Sequence, residues 1–439
     1  MKHIVKRSLL AASVAAAIGA MGSAHATNGY ELIGIGAYQM GMAGAVVSAP
    51  GSAMTAITNP AGLAEITPQA DFSMEAFMPK RKVDFTKGGG GKADSNTNMY
   101  GVPALGWAAP TSDGSNIYFG GGMYGTSGMG VDYPQTKYSP NPQAATTNSL
   151  YFRGYSNLSL WQMAPALAWK VDDKLSLGAA LNIGYMSASF QQQMVDYTNT
   201  ANPNTSAPNG VANGVNMTRS ASAFGLGLTL GALYKINPMW TVGASYTSEQ
   251  TFKLKYNLAY GDINNVGTAY PAGQYTLTMK TPQMAAVGVT MHATPALSIS
   301  GQVKYIGWKD VMNNLSITGP QDYNGFTPKW KDQTVYAIAA NYKVSPALQV
   351  RAGFNYGKSP IDGSTAVYNM VLPAVVESHY TAGFDYQLNN HWNLGGALMY
   401  APKVTFTAPA NSGSTTDPNN SQKIDLSETA VSFNIGYKF

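Results

Sequence analysis

The sequence predicts an all-β fold, a 14-stranded antiparallel transmembrane β-barrel with an N-terminal hatch, or plug, inside its lumen. Apolar and polar residues alternate along most of the chain beyond residue 68, and do so clearly in the final segment, 431–439. Because successive side chains of a β-strand point to opposite faces, each such segment has one apolar and one polar face. Tight turns and long polar loops alternate between the segments, and only 11% of the residues are charged, against about 25% in typical soluble domains. These features are typical of a barrel whose outer face meets lipid.

Residues 1–26 have the pattern of a secretory signal peptide. Basic residues at positions 2–7 precede an apolar run at 9–21, and Ala24-His25-Ala26 has the small-residue spacing of a cleavage site. The run is shorter than the about 20 residues that a membrane-spanning helix requires, which argues against the alternative, a retained N-terminal anchor. We therefore expect a mature chain that begins at Thr27.

Residues 27–68 depart from the alternating pattern and are predicted to form the hatch. They are rich in glycine and alanine, and Asn59-Pro60-Ala61 has the composition of a helix start, with Asn59 as N-cap and Pro60 at the first helical position. A barrel of 14 strands encloses a lumen wider than its own side chains fill, so we expect this compact segment to occupy it. A loose periplasmic extension is the alternative.

Residues 69–439 are predicted to form the barrel. In the twelfth segment, Tyr380 and Phe384 lie on the face expected to meet lipid, and His379 and Asp385 lie on the lumen face. A soluble β-sandwich would bury the apolar face instead, but the alternation of turns and loops favours a barrel with periplasmic turns and extracellular loops. The predicted strands are 69–80, 97–109, 115–124, 156–171, 174–190, 219–236, 239–258, 274–292, 296–317, 330–344, 347–358, 378–388, 391–407 and 425–439.

The third predicted strand contains three consecutive glycines, Gly120, Gly121 and Gly122. Glycine weakens strand pairing and allows a bulge or a sharp bend, so this strand is predicted to kink. The alternative is that these glycines let an element of the hatch pack closely against the wall.

The sequence contains no convincing set of catalytic or metal-binding residues. Its five histidines are scattered, no Gly-x-Ser-x-Gly motif supports a barrel hydrolase, and the run Gly88–Lys92 lacks the Ser or Thr of a phosphate-binding loop. Metal-ligand spacings and basic tracts are absent, and a chain without cysteine has no disulfide framework. We therefore expect neither enzymatic activity, nor a cofactor or metal, nor nucleic-acid binding.

On its motifs, the chain resembles the FadL family of outer-membrane transporters for long-chain fatty acids and other hydrophobic compounds, including aromatic hydrocarbons. The resemblance covers the whole predicted mature chain. It rests on Thr27-Asn28-Gly29-Tyr30, the glycine-rich stretch to Gly44, Thr58-Asn59-Pro60-Ala61-Gly62, Trp330-Lys331-Asp332, Arg351-Ala352-Gly353-Phe354-Asn355-Tyr356 with Pro360 after it, and the terminal Phe439.

The resemblance implies passive transport of hydrophobic small molecules through a hatch-plugged barrel in the Gram-negative outer membrane. The implied partners are the apolar ligand, the membrane lipid and the outer-membrane barrel-assembly machinery, for which Phe439 would be the signal. A monomer is the expected state.

The resemblance also implies a path for the ligand. An apolar groove among the outer loops captures it, a tighter pocket near the mature N-terminus holds it, and it leaves sideways at an inward kink of the third strand. The candidate path residues are Tyr30, Met40, Met42, Met123 and Met129, because methionine adapts to varied apolar shapes. Ordinary packing and a lipid-facing position are the alternatives for the methionines.

The chain departs from the family pattern at Glu377-Ser378-His379, where many members have a basic residue after the acid. No fixed positive charge for a carboxylate is evident there, which leaves an uncharged ligand open. A general diffusion porin is the alternative function, but it would need charged side chains at a constriction and no hatch. A structural or adhesive barrel is a third hypothesis, and its loops would be richer in aromatic or charged residues.

Overall fold

The structure, a computed structural model, describes residues 27–140, 149–196, 211–265, 268–408 and 422–439. The predicted signal peptide lies outside the described residues. Within the described ranges, no helix is both long enough and apolar enough to cross a membrane.

The hatch elements come first in the chain, and the wall strands follow with the loops between them. The hatch contains β1 (Thr27–Asn28), β2 (Glu31–Leu32), α1 (Gly36–Gly41), α2 (Thr55–Thr58) and a 3-10 segment (Pro60–Ala64). The first half of the barrel contains β3 (Gln69–Asp84), a 3-10 turn (Thr86–Gly88), β4 (Lys92–Asp94), β5 (Tyr100–Pro110), β6 (Ile117–Pro140), β7 (Ser149–Met163), β8 (Ala166–Lys170), β9 (Leu175–Asp196), β10 (Val211–Asn237), β11 (Trp240–Thr247) and β12 (Gln250–Leu258). The second half contains β13 (Ile263–Asn265), β14 (Thr268–Ala269), β15 (Gly273–Thr281), β16 (Met284–His292), β17 (Leu297–Ile306), α3 (Lys309–Met312), β18 (Ile317–Thr318), β19 (Gln333–Lys343), β20 (Leu348–Gly357), a 3-10 segment (Gly363–Asn369), β21 (Ser378–Gln387), β22 (Trp392–Thr407) and β23 (Lys423–Lys438).

Fourteen antiparallel wall strands close into a barrel, which confirms the predicted fold class. The first and last wall strands, β3 and β23, pair from Gln69 opposite Lys438 to Asp84 opposite Lys423. Three wall strands are interrupted, so that β7 continues as β8, β11 as β12, and β15 as β16. Closure pairs the backbone groups of the wall with one another, as a hydrocarbon surrounding requires.

The two faces of the wall differ as the alternation predicts. Phe433 is 52% exposed on the outer face, whereas its neighbour Ser432 is 1% exposed on the inner face. Tyr380 and Phe384 are likewise exposed, and His379 is buried. The apolar residues of the strands therefore form the surface that meets lipid, and the small and polar residues face the lumen.

The third wall strand is longer than predicted. The expectation of a loop from residue 125 is wrong, because β6 continues to Pro140 and pairs with β7 over most of that length. Three register shifts, the first between Gly125 and Ser127, absorb the extra residues. Bulges of this kind let a strand continue through glycine and proline, which sequence patterns read as breaks.

The ninth wall strand is shorter than predicted. It ends at Ile306 instead of residue 317, and the following segment contains the short helix α3. Val311, Met312 and Leu315 are buried there. These apolar residues extend the alternating pattern of β17, but they pack among the outer loops instead of facing lipid.

The outer loops close the extracellular end of the lumen with an apolar core. In this region β12, β15 and β18 form a separate three-stranded sheet. The core above the hatch combines buried side chains from the loops and from strands, among them Phe190, Phe252, Tyr275, Trp308, Trp330, Leu372 and Val375. The lumen above the hatch is therefore packed with side chains.

Candidate functional site

The Asn59-Pro60-Ala61 motif fixes the hatch to the wall at a pair of glycines. Asn59 is the N-cap of the 3-10 segment and accepts a hydrogen bond from the Ala61 amide (3.2 Å), which confirms its predicted role. Its Nδ2 donates to the carbonyl oxygens of Val47 (2.6 Å) and Ala232 (3.2 Å), so one side chain joins two parts of the hatch to β10. Gly178 on β9 pairs with Gly231 on β10 directly beneath the motif.

These two glycines are needed because the motif approaches the wall very closely. A Cβ on Gly231 would lie 2.0 Å from Asn59 Oδ1, and a Cβ on Gly178 would lie 2.3 Å from the Ala61 nitrogen. Any larger residue would displace the motif. The glycine pair is therefore the receptor for the hatch motif.

A second glycine pair receives the segment that follows α1. Gly243 on β11 pairs with Gly288 on β16, and a Cβ on either would collide with Val47, at 2.2 Å from its oxygen or 2.6 Å from its Cγ1. Next to them, Gln302 Oε1 accepts hydrogen bonds from the amides of Val46 (3.1 Å) and Val47 (2.9 Å). The wall thus supplies an acceptor for the buried Val47 amide, and a second acceptor for the Val46 amide, which also donates to the Gly44 carbonyl (2.9 Å).

The helix α1 is held from the opposite side of the barrel. Asn355 on β20 donates to the Ala43 carbonyl (3.1 Å), and Thr381 on β21 donates to the Gly41 carbonyl (3.1 Å). The Arg351 guanidinium lies 4.4 Å from the centre of the Tyr38 ring. Arg351 also forms an ion pair with Asp385 of β21.

The wall has a gap between β5 and β6. Their ladder runs from Pro110 opposite Tyr118 to Ala104 opposite Tyr124 and then stops. Among the described residues, no ladder pair joins the next part of β5, 100–103, to β6. We call this interruption the wall gap.

The first residues of the hatch occupy the edge of β6 that the wall gap leaves open. Strands β1 and β2 form the N-terminal hairpin, residues 27–32, and Glu31 in it pairs with Ser127 of β6. The Gly128 amide donates to the Tyr30 carbonyl (3.2 Å), and Ser127 Oγ donates to Glu31 Oε1 (2.7 Å). The N-terminal hairpin therefore takes the place of β5 along this part of the third wall strand.

The glycines at 120–122 lie just before the wall gap. Gly121 has φ +143°, and a Cβ there would lie 2.6 Å from the Ala164 carbonyl oxygen, so a side chain is excluded. The first bulge of the strand follows between Gly125 and Ser127. The glycines thus permit close backbone approach, and the pairing with β5 ends at Tyr124, two residues after them.

A cavity of about 110 Å³ lies between the hatch and the wall, next to the N-terminal hairpin. Apolar side chains line much of it, including Leu32, Ile33, Ile35, Ile57, Leu160 and Met284. Glu31 and Lys304 also line it, and burial raises the pKa of Glu31 from 4.5 to about 7 although the hydrogen bond from Ser127 and the charge of Lys304 oppose this shift. The cavity is thus small, mainly apolar, and carries one acid and one base.

Tyr30, the first predicted path residue, lies between the cavity side of the hatch and the outer loops. Its ring lies 4.5 Å from that of Trp308 and 5.8 Å from that of Trp330, centre to centre, and the two tryptophans are 5.0 Å apart. Tyr30 Oη donates to the Lys280 carbonyl (2.9 Å). This aromatic cluster covers the N-terminal hairpin on the side of the outer loops.

The four candidate methionines do not lie together. Met40 and Met129 are buried in the same apolar core as Tyr30. Met42 belongs to a separate small cluster with Ala337 and Ala339, and it borders a polar chamber of about 580 Å³ on the other side of the hatch. Met123 pairs with Met163, which is exposed on the outer wall, and therefore faces the lipid side.

Sequence reasoning missed the charged residues of the cavity. Neither Glu377 nor His379 lines it, and the cation present is Lys304 of β17. The signal was available, because Lys304 lies between Val303 and Tyr305 in an alternating strand and is thereby placed on the lumen face. Its proximity to Glu31 could not be derived, since the two residues are far apart in the chain.

These features define a class of protein, an outer-membrane β-barrel whose lumen is closed by its own N-terminal segment. The sequence profile of the outer membrane protein transport proteins (OMPP1/FadL/TodX) matches residues 10–439. The chain belongs to this family, as the motifs indicated, and is a transport protein of the outer membrane and not an enzyme.

Relatives and solved structures agree with this assignment. Outer membrane protein P1 of Haemophilus influenzae is 22% identical over 339 residues, which are 72% of this chain and 70% of that protein. The Pseudomonas putida toluene transporter TodX superposes with a TM-score of 0.67 at 20% identity, over 93% of this chain and 99% of TodX. A Pseudomonas aeruginosa FadL homologue gives a TM-score of 0.69 at 19% identity, over 94% and 100% of the two chains. At these identities the solved structures establish the shared fold.

Proposed function

We propose that this protein carries apolar small molecules, long-chain fatty acids or aromatic and aliphatic hydrocarbons, passively across the outer membrane. The ligand enters through the outer loops, passes the cavity beside the N-terminal hairpin, and leaves sideways between β5 and β6. Transfer of apolar surface out of water gains about 25 cal/mol per Å², so an apolar path needs no further source of energy.

One observation carries this proposal, the coincidence of the wall gap, the N-terminal hairpin and the apolar cavity. Glu31 both pairs with the open edge of β6 and lines the cavity. Displacement of the hairpin would therefore open the cavity toward the gap in one movement. The similarity to a protein named a toluene transporter supports the substrate class.

The size of the cavity favours a compact ligand in the closed state. Its volume of about 110 Å³ is of the same order as the about 150 Å³ apolar cavity that binds benzene in an engineered protein. A single aromatic ring fits this space better than an extended acyl chain does. A fatty acid would require the hairpin to move before it could be held.

The alternative, a general diffusion porin, is less well supported. The hatch and the outer-loop core fill the lumen, which leaves little room for a continuous water path. The polar chamber of about 580 Å³ lies on the far side of the hatch from the aromatic cluster.

A disulfide across the edge of β6 tests the proposed route. The chain contains no cysteine, and Glu31 and Ser127 are ladder partners, so Glu31→Cys with Ser127→Cys can form a bond between the hairpin and the wall. We expect the oxidised double variant to lose uptake of toluene and of radiolabelled oleate, and a reductant to restore it. The movement of the hairpin is what the bond prevents.

The matched control is a cysteine pair elsewhere in the wall. Ser298 and Asn341 are ladder partners on β17 and β19, away from the wall gap. The oxidised Ser298→Cys, Asn341→Cys variant should transport as the reduced form does. Undiminished uptake by the oxidised 31–127 variant would overturn the route, and leakage of small polar solutes without hydrophobic uptake would favour the porin.

Two further parts of the proposed function concern the export of the chain and the assembly of the barrel. We propose that residues 1–26 are removed during export and that the last wall strand, with Phe439 at its end, is the signal for the barrel-assembly machinery. The Phe439 amide donates to the Pro68 carbonyl (3.1 Å), and its side chain is exposed on the outer wall. Deletion of Phe439 should lower the amount of protein in isolated outer membranes, and an unchanged amount would contradict this role.

A further inference from the structure

A cluster of buried polar groups surrounds the start of the N-terminal hairpin. Glu75 of β3, His379 of β21 and Glu428 of β23 all face the lumen, and each is at most 3% exposed, as is Thr27. The Thr27 nitrogen donates to Glu428 Oε2 (3.2 Å), and His379 Nε2 lies 3.7 Å from the same oxygen. Glu428 thus contacts the first residue of the hatch, His379 lies next to Glu428, and Glu75 lies on the adjacent strand β3.

Among the described residues, no salt bridge joins Glu75 or Glu428 to a lysine or an arginine. Glu75 Oε1 and both ring nitrogens of His379 have no hydrogen-bond partner among the described residues. Arg81 of β3 is also nearby, but its guanidinium donates to the carbonyl oxygens of Thr97 and Gly130. Negative charge on the two buried carboxylates would be only partly compensated by Arg81, which is costly in a medium of low polarity.

An α-amino group at Thr27 has the properties that the cluster lacks. A backbone amide brings one N–H and no charge, whereas a chain terminus brings a positive charge and three donors, and charge-assisted hydrogen bonds are about twice as strong as neutral ones. The Thr27 nitrogen is already in contact with Glu428. A small cavity of about 20 Å³, lined by Thr27 and Glu428, lies beside it.

We propose that the terminal ammonium created by cleavage after Ala26 is the counter-ion of Glu428, and that this buried ion pair locks the N-terminal hairpin into the wall gap. In the precursor the same nitrogen is an uncharged amide, so the lock forms only in the processed protein. The cleavage site thereby sets both the start of the mature chain and the stability of the closed hatch.

The lock bears directly on the path of the ligand. The ammonium holds β1, β1 pairs with β2, and β2 occupies the edge of β6. Release of one ion pair would therefore free the whole hairpin. This inference concerns how the hairpin is held, and it can be tested without any transported ligand.

The experiment uses the purified mature protein in detergent, with its first residue established by intact mass and peptide sequencing. The folded protein is treated with a limiting amount of an amine-reactive acetylating ester near pH 7.5, and the extent of modification of the terminal peptide is followed by mass spectrometry. We expect acetylation of the Thr27 α-amine to be at least about tenfold slower in the folded protein than in the urea-unfolded protein. In Glu428→Gln this protection should largely disappear.

Two further variants separate the lock from a general loss of structure. Glu249→Gln, which removes an exposed partner of Lys280, should leave the protection unchanged. One alanine inserted between Ala26 and Thr27 moves the ammonium by about 3.5 Å and should abolish the protection although all wall residues remain. If Glu428→Gln fails to fold, the alanine insertion decides.

A mature chain that begins elsewhere than Thr27 would overturn the proposal, as would a wild-type α-amine that reacts as fast in the folded as in the unfolded protein. Equal protection in wild type, Glu428→Gln and the insertion variant would also overturn it. These outcomes are independent of uptake, so a failure here and a failure of the transport proposal can be told apart.

Discussion

At the scale of single residues, the docking of the hatch depends on glycines in the wall, which have no side chain. The Asn59-Pro60-Ala61 motif reaches the wall only because Gly178 and Gly231 carry no Cβ. The close approach lets Asn59 form hydrogen bonds with the backbone of the hatch and with the backbone of the wall. The wall glycines and the capping residue of the hatch therefore depend on each other. A substitution at either partner should affect the other.

Gly231→Ala tests this dependence. The added Cβ would lie 2.0 Å from Asn59 Oδ1, so the hatch must shift, and we expect its docking to weaken by about 1–3 kcal/mol. Faster cleavage of the hatch by an added protease, measured on the purified protein, would report the change.

The matched control is Gly301→Ala, since a Cβ on Gly301 would meet nothing within 4 Å. It should leave the cleavage rate unchanged. Equal rates for the two alanine variants would show that close approach at Gly231 does not hold the hatch.

At the scale of elements, the N-terminal hairpin is the movable part of the wall. Short strands have few ladder bonds, and β2 pairs with β6 through a single residue pair in addition to the Tyr30 contact. The edge of β6 would be exposed without it, and open edges are unfavourable in contact with lipid. The hairpin is therefore held by few hydrogen bonds, although the edge of β6 that it covers is unfavourable to expose.

The charge of Glu31 should make the closure of the hairpin depend on pH. Its pKa is raised from 4.5 to about 7 in the closed state, so the closed state binds the proton more tightly than the open one. Closure is then strongest below about pH 4.5 and weakens as the pH rises through about 7, by an amount on the order of 3 kcal/mol.

Amide-exchange protection of residues 27–32, corrected for intrinsic exchange rates and measured between pH 5 and 8, checks this expectation. Protection should fall with rising pH in the wild type, and the fall should be much smaller in Glu31→Gln. If Glu31→Gln shows the same pH dependence as the wild type, another titratable group causes the effect.

At the scale of the whole molecule, a closed barrel surrounds a packed plug. The closed network of wall hydrogen bonds provides stability without any cysteine, while the hatch fills a lumen that 14 strands leave wide. The loop core seals the outer end, so the resting state has neither an open pore nor an exposed apolar path.

Deletion of residues 27–68 removes the plug and also Tyr30, Ile33 and Met40, against which the outer-loop core packs, so both seals of the lumen should open and the protein should become a channel. The barrel closes through β3 and β23 without help from the hatch, so it should still assemble. In planar bilayers we expect large, stable conductance steps for the deletion variant and little conductance for the intact protein. Low conductance in a correctly folded deletion variant would mean that the outer loops alone close the lumen.

The sequence by itself determined the barrel, the number of wall strands, the faces of those strands and the presence of a plug with Asn59 as a cap. Each of these follows from local patterns, since side-chain alternation and turn residues are read within a few positions. The tertiary structure alone decided the extent of β6, the wall gap and the aromatic cluster of Tyr30, Trp308 and Trp330. It also placed Met123 on the lipid side and brought Lys304 to Glu31. These features depend on which distant segment a strand edge or a side chain meets, and a local pattern carries no information about such partners.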